Sequence, residues 1–274
     1  PMDNKTLNTR DWQNAQAGFE NRGLDFTNRG ADLNSEDIET LTVLKGPEAS
    51  ALYGIDAANG AIVITTKRGR AGTAGLEYSN SIRIESMRGR PETQRVYGPA
   101  GTLSTTFLFF GSPYPAGTRF YDNVSGFFEN SLTQRHNMAL SGATADNSIN
   151  YRLSASAMRQ EGVIPTAKLD RLNLSAASQA RIKPWLQTDV VLSYMGDSNN
   201  QPWKGAGGPL IGLLVWPDTI DARDYLTPLG TRRRITALAA ASEVDNPYFS
   251  VRNNFNESRT NRFNLNVGLT IVPI

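Results

Sequence analysis

The chain has 274 residues, with 28 Lys and Arg against 26 Asp and Glu, a net charge of +2, one His and no Cys. So even a balance gives no basic footprint for nucleic acid and no polybasic membrane anchor, and no nucleic-acid partner is expected. Without Cys there are no disulfides or thiolates, and the lone His136 argues against a histidine metal site or a Ser-His-Asp triad, so no cofactor and no metal is expected.

No stretch approaches ~18 uninterrupted apolar residues, which excludes transmembrane helices. The opening "PMDNKTLNTRD" has neither a basic n-region nor an apolar h-region and reads as the start of a mature or truncated product. Residues 1–37 are polar and Asn-rich and read as loop with short elements. "IETLTVLKG" reads as a strand that stops at Gly46-Pro47, because Pro donates nothing to a ladder. "EASALYG" is a helical turn or two ended by Gly54, the Asn59-Gly60 pair signals a tight turn, and "AIVITTK" reads as a buried strand. Together these make a small α/β unit up to about Arg70. It lacks the GK[ST] ending of a P-loop and the glycine spacing of a dinucleotide fingerprint. Gly46, Pro47, Gly54 and Gly60 are therefore expected to punctuate a tightly packed core. Lys67, Arg68 and Arg70 mark the exit from the unit and are expected to be simply hydrated.

From Gly75 the pattern changes to period-two alternation. Ile149, Tyr151, Leu153, Ala155 and Ala157 alternate with Asn150, Arg152, Ser154 and Ser156. Phe263, Leu265, Val267, Leu269 and Ile271 alternate with Asn264, Asn266, Gly268 and Thr270. "RLNLSAASQARI" and "LQTDVVLSY" repeat the pattern, and "LEYSNSIRIES" and "LTQRHNMALSG" carry weaker versions. This predicts about six strands of roughly ten residues, the length a tilted membrane strand requires. "ATADNS" and "KPW" are short connections, whereas 88–130, 159–168 and 197–258 are longer. Short turns at one end and long loops at the other are the pattern of an outer-membrane barrel, periplasmic and extracellular respectively. Arg152, Arg171, Arg181 and Asp189 all fall opposite the apolar face, and Trp185 and Tyr194 flank one strand as interfacial anchors would. A soluble antiparallel sheet also alternates, so a soluble extracellular β-rich binding or adhesin module is the alternative. Six strands cannot close around a plug, and an open arc in lipid leaves two unpaired edges, so a fragment of a larger barrel is expected.

The segment "DIETLTVLKGPEASALYGIDAANGAIVITTKRGR", residues 37–70, resembles the end of the plug domain in TonB-dependent outer-membrane transporters of the SusC/RagA-like branch. Lys45, Gly46, Pro47, Ala51, Leu52, Tyr53, Gly54, Asn59 and Gly60 carry the motif. Residues 137–164 and "RLNLSAASQARIKPWLQTDVVLSY" are similar to that family's early barrel strands. The resemblance implies a mainly β fold, part of a plugged transmembrane antiparallel β-barrel of about 22 strands. Residues 1–72 would be the C-terminal part of the plug, and 73–274 the first six or so barrel strands with long extracellular loops. It further implies the bacterial outer membrane and its lipid as surroundings. TonB would act through an N-terminal segment not in this chain, a SusD-like surface lipoprotein would be the partner, and a glycan or peptide the cargo. The mechanism would be binding and gated passage, with no enzyme chemistry. A SusC-like structural subunit without transport is a further alternative.

Candidate substrate contacts are the polar-plus-aromatic cluster Arg10, Asp11 and Trp12, and Tyr114, Tyr121 and Trp203 in the long loops. The same residues also suit packing of the plug against the wall or of the loops on themselves. The run "TRRRIT" at 231–236 reads as solvated charge, and His136 as a surface or interfacial side chain.

Overall fold

The computed structural model describes residues 33–69, 74–89, 92–98, 100, 110–203, 208–233 and 245–272; Arg10, Asp11, Trp12 and Arg70 lie outside the described residues. The N-terminal unit is a two-stranded antiparallel sheet, β1 (Ile38–Leu44) and β2 (Ala61–Thr66), with Leu44 opposite Ala61. Between them lie helix α1 (Pro47–Tyr53) and a short 3-10 turn, Ile55–Ala57. Pro47 opens α1, where its missing N–H costs nothing. Gly60, at φ 108°, needs its glycine twice over, because a Cβ there would stand 2.8 Å from the Leu44 carbonyl oxygen. The expected tight core is only half realised. Ala49 and Ala57 are buried, but Leu52, Tyr53 and Ile55 are exposed, and β2 is half-exposed instead of buried. Two strands and a helix of two turns have too little surface to cover both of their faces.

The second unit is one six-stranded antiparallel meander: β3 (Gly75–Glu85), β4 (Ser131–Ala143), β5 (Ile149–Glu161), β6 (Lys168–Lys183), β7 (Leu186–Pro202) and β8 (Phe255–Ile271), each paired with the next in sequence. The strand number matches the alternation, but the strands are longer than ten residues, reaching 17 in β7 and β8. In consequence the β5–β6 connection is a short turn, with the Gly162 amide donating to Ala167 O at 2.8 Å, and not a long loop. The extra length lies beyond the apolar stretch. There the same face turns charged, with ion pairs Arg159–Glu161 at 3.2 Å, Lys168–Asp170 at 2.9 Å and Arg259–Glu257 at 2.6 Å along single strands.

The two faces of this sheet differ completely. Leu76, Leu140, Leu153, Ala176, Leu192 and Leu265 follow one another in register across all six strands on the outer face. Leu172 is 42% exposed, Val190 36% and Leu265 57%, so these side chains are not sealed between two layers. The inner face carries Asn137, Arg152, Ser154, Ser156 and Asn173, all buried. Polar inside and apolar outside is the inverse of a water-soluble sandwich.

The outer band also runs obliquely. Leu76 begins the apolar stretch of β3 and is level with Leu265, yet the stretch in β8 continues six residues further, to Ile271. Six residues at ~3.3 Å over five strand steps of ~4.8 Å give a slope of about 40°. Strands of a membrane barrel cross the bilayer at about this tilt.

The connections β3–β4 and β7–β8 fold together into a cap. Helices α2 (Asn123–Phe127), α3 (Pro209–Val215) and α4 (Pro247–Asn253) bury Phe127, Leu213, Trp216 and Val251 in a shared core. Asn123 and Asn246 bind the backbone of Ala222 from two sides, at 2.9 and 2.8 Å. The cap thus satisfies the polar groups that two long loops would otherwise leave bare.

Candidate functional site

The N-terminal unit lies on the polar face of the large sheet, and the contact is a buried polar seam. Alternation along β5 puts Arg152 and Ser154 on the same inner face, two residues apart. Opposite them, the turn before β1 presents Asp37, in a 3-10 turn capped by Asn34, whose side chain accepts from the Glu36 amide at 3.2 Å. Arg152 Nε donates to Asp37 Oδ1 at 3.2 Å, and the Ser154 hydroxyl donates to Asp37 Oδ2. Asn34 Nδ2 donates to Asn137 of β4 at 2.8 Å, and Arg135 of β4 donates to Ser35 at 3.1 Å. The Arg152 and Asp37 side chains are only 6% and 9% exposed. Charges so placed are tolerable only when paired, since an unpaired buried ion costs several kcal/mol.

Arg152 has a second acceptor. Its Nη1 donates at 3.3 Å to Glu77 of β3, in the wall itself, which is 63% exposed. One guanidinium is therefore shared between a buried carboxylate of the N-terminal unit and a wet carboxylate of the sheet. If the unit moved away, Arg152 would keep a partner. A second ion pair crosses the seam lower down, where Arg68 Nη2 is 2.8 Å from Asp189 of β7. Arg68 is thus not simply hydrated, as its sequence context suggests. Next to it the chain presses directly on the sheet: a Cβ at Gly69 would stand 2.2 Å from Gly142 O and 2.5 Å from Tyr151 O.

The motif residues Lys45, Gly46, Pro47, Ala51, Leu52, Tyr53, Gly54, Asn59 and Gly60 shape the N-terminal unit and do not form the seam. Gly46 and Gly54 take positive φ, of 62° and 79°. In the cap, Tyr114 is half-buried edge-on to Phe120 at 5.1 Å; burial, and then the Asp218 carboxylate, push its phenol above the usual range. Arg119 lies over the Tyr121 ring at 4.8 Å, and Trp203 stands exposed beyond β7. Among the described residues no ring contact joins Tyr114, Tyr121 and Trp203. Arg232 and Arg233, from the arginine run, are ion-paired to Asp245 and Asp224. His136 faces outward and lies 2.8 Å from Tyr78 Oη and 2.9 Å from Asn80 Nδ2.

Asp37 is the residue that the sequence pattern does not single out. In "NSEDIE" it resembles any surface turn, and its partner lies 115 residues away. The available signal was Arg152, a charge placed on the inner face of a strand without a local counter-ion.

No protein-family model matches the chain. It is 29% identical over 202 residues to the TonB-dependent receptor SusC of Bacteroides thetaiotaomicron, a match covering 70% of this chain and 19% of that protein. It is 27% identical to the TonB-dependent receptor P3 of Formosa agariphila over 84% of this chain and 23% of that protein. The chain thus spans about a fifth of the length of these relatives. Its fold superposes on the RagAB peptide importer in the closed-closed state with a TM-score of 0.63 at 20% identity, covering 89% of this chain and 31% of that one. In sequence and in fold alike the chain is SusC/RagA-like, and with these outer-membrane β-barrel receptors its place is the outer membrane.

Proposed function

We propose that the chain is the late plug, 1–72, and the first six strands, 73–274, of a SusC-like importer that moves oligosaccharides or peptides across the outer membrane. TonB supplies the pull, and a SusD-like lipoprotein closes the mouth over the cap. The observation that carries this reading is the buried seam on the polar face of a sheet whose other face is a tilted apolar band. A soluble module has no reason to keep Arg152 and Asp37 on one face while Leu172, Val190 and Leu265 stand exposed on the other. The mechanism is gated passage without a covalent step. At rest Asp37 holds Arg152 and the unit stays docked. Under a pull, Arg152 passes to Glu77, so release leaves no bare ion in the wall. Tyr114, Tyr121 and Trp203, on the cap side, and Arg10, Asp11 and Trp12 belong to the proposed path of the cargo.

The test is uptake of labelled oligosaccharides and of peptides by cells carrying or lacking the full-length gene, with and without TonB. Loss of uptake of one cargo class in both deletions supports the importer. Uptake of every cargo that is the same in both deletions as in parent cells, where the protein is present in the outer membrane, would leave the structural-subunit role instead.

A further inference from the structure

The two donors that hold the N-terminal unit make a complete carboxylate site. Arg152 Nε, at 3.2 Å, and the Ser154 hydroxyl each bind one oxygen of Asp37. Arg152 is 5% exposed and Ser154 8%, and alternation along β5 fixes them side by side on the inner face. Glu77 uses a different nitrogen, Nη1, at 3.3 Å. The carboxylate of the wall and that of the unit therefore do not compete for the same donors. When Asp37 leaves, Glu77 keeps Nη1, while Nε and the Ser154 hydroxyl lose their acceptor.

The surrounding wall supplies no carboxylate in its place. The inner positions of β4, β5 and β6 carry Arg135, Arg152, Arg171 and Arg181 and no Asp or Glu. The carboxylates on the strands either side have cations of their own. On β3, Glu85 lies 3.5 Å from Arg83. On β7, Asp197 lies 3.6 Å from Arg171, and Asp189, which pairs with Arg68 while the unit is docked, is diagonal to Arg181 in the ladder. Arg135, held to the unit through Ser35, is uncovered in the same movement.

We propose that Arg152 and Ser154 form a subsite for a carboxylate of the cargo, which Asp37 fills at rest and the cargo takes as the unit withdraws. This rests on the importer reading above and names its cargo as an acidic oligosaccharide of the uronate type. The inner face around the pair is amide and hydroxyl, with Asn137, Ser156 and Asn173 buried there. Such groups both donate and accept, which suits hydroxyl-rich rings. Among the inner positions of β4, β5 and β6 only Met158 and Leu169 are large and apolar, too few to receive the side chains of a peptide. Hydrogen bonds from a guanidinium to a carboxylate are about twice as strong as neutral ones, so removing the charge of the acid is the change the subsite senses most.

The test is uptake of labelled trigalacturonate, its methyl ester and triglutamate by cells making the full-length receptor, set against cells lacking it. Trigalacturonate is expected to enter about tenfold faster than the ester or the peptide. Arg152→Gln should abolish that preference and Ser154→Ala should reduce it. Asp37→Asn, which loosens the unit but leaves both donors in place, should keep it. A role in docking alone predicts instead that Arg152→Gln and Asp37→Asn change uptake of all three probes alike, and that result would overturn the proposal. So would equal uptake of acid and ester, or a preference for triglutamate. Heat-modifiable migration on gels checks that each variant is a folded barrel. Uptake of none of the probes above that of cells lacking the receptor would sink the importer reading, and the subsite with it.

Discussion

Replacing Asp37 by Asn removes the charge that holds the N-terminal unit to the wall but keeps its shape. Breaking a buried ion pair by losing one partner costs about 3–5 kcal/mol. Here Arg152 keeps Glu77 at 3.3 Å, and an Asn side-chain oxygen can still accept from Ser154, so a cost of about 2–3 kcal/mol is expected. That corresponds to roughly a 30- to 150-fold rise in the opening equilibrium of the unit. The assay is amide hydrogen exchange of β1 and β2 in the full-length receptor, under conditions where exchange follows opening. Arg152→Met and the double variant complete a cycle, whose coupling should exceed ~1 kcal/mol if the two side chains act together. Acceleration below about threefold, or single effects that simply add, would refute the seam as the element that keeps the unit docked.

Asp189→Asn should loosen the unit by less than ~1 kcal/mol and only at low salt, because the Arg68–Asp189 pair is 42% and 31% exposed; exchange measured at two ionic strengths checks this. Gly60→Ala should destabilise the N-terminal unit by about 1–3 kcal/mol, read from the same amides, since it adds a Cβ against the Leu44 carbonyl at a positive φ. Asn246→Ala should disorder the cap at a cost of about 2 kcal/mol, seen as faster proteolysis between β7 and β8, because it loses the α4 cap and leaves the Ala222 carbonyl without its donor. Asp146, in the β4–β5 turn, is held at a pKa of about 2 by hydrogen bonds from Thr144 and Ser148. Its folded pKa lies below its unfolded value, so its contribution is whole above pH ~4 and fades as pH falls towards 2. Acid unfolding of Asp146→Asn should accordingly lack the part of the pH dependence that the parent shows between pH 4 and 2.

The barrel wall was legible in the sequence because its physics is local. A strand that divides lipid from a polar interior must alternate at every step, and Phe263 to Ile271 or Ile149 to Ala157 do so without exception. The resemblance of residues 37–70 rested likewise on turn chemistry, with Gly46, Gly54 and Gly60 each at positive φ. What escaped was set by distant contacts. Strand length could not be read where the outer face turned from Leu172 to Asp170, since charge there looked like loop although the ladder continues. Arg68 looked hydrated because Asp189 lies 121 residues on. Asp37 was invisible for the same reason. The fate of Tyr114 and Tyr121 depended on whether two loops would fold on each other, and aromatic content alone does not decide that.

The outer face of the sheet meets lipid along a band tilted by about 40°. Spin labels placed one at a time along β3, β7 and β8 of the full-length receptor in bilayers report on this, with oxygen marking lipid and a charged nickel chelate marking water. Labels at Leu192, Leu265 and Val267 should favour oxygen and those at Ser193 and Asn264 should not. The oxygen maximum should fall near Asn80 on β3 but near Val267 on β8, below the level of Leu265. Chelate access to Leu192 and Leu265, or access for neither reagent, would show that this face meets water or a second protein layer and would contradict the account.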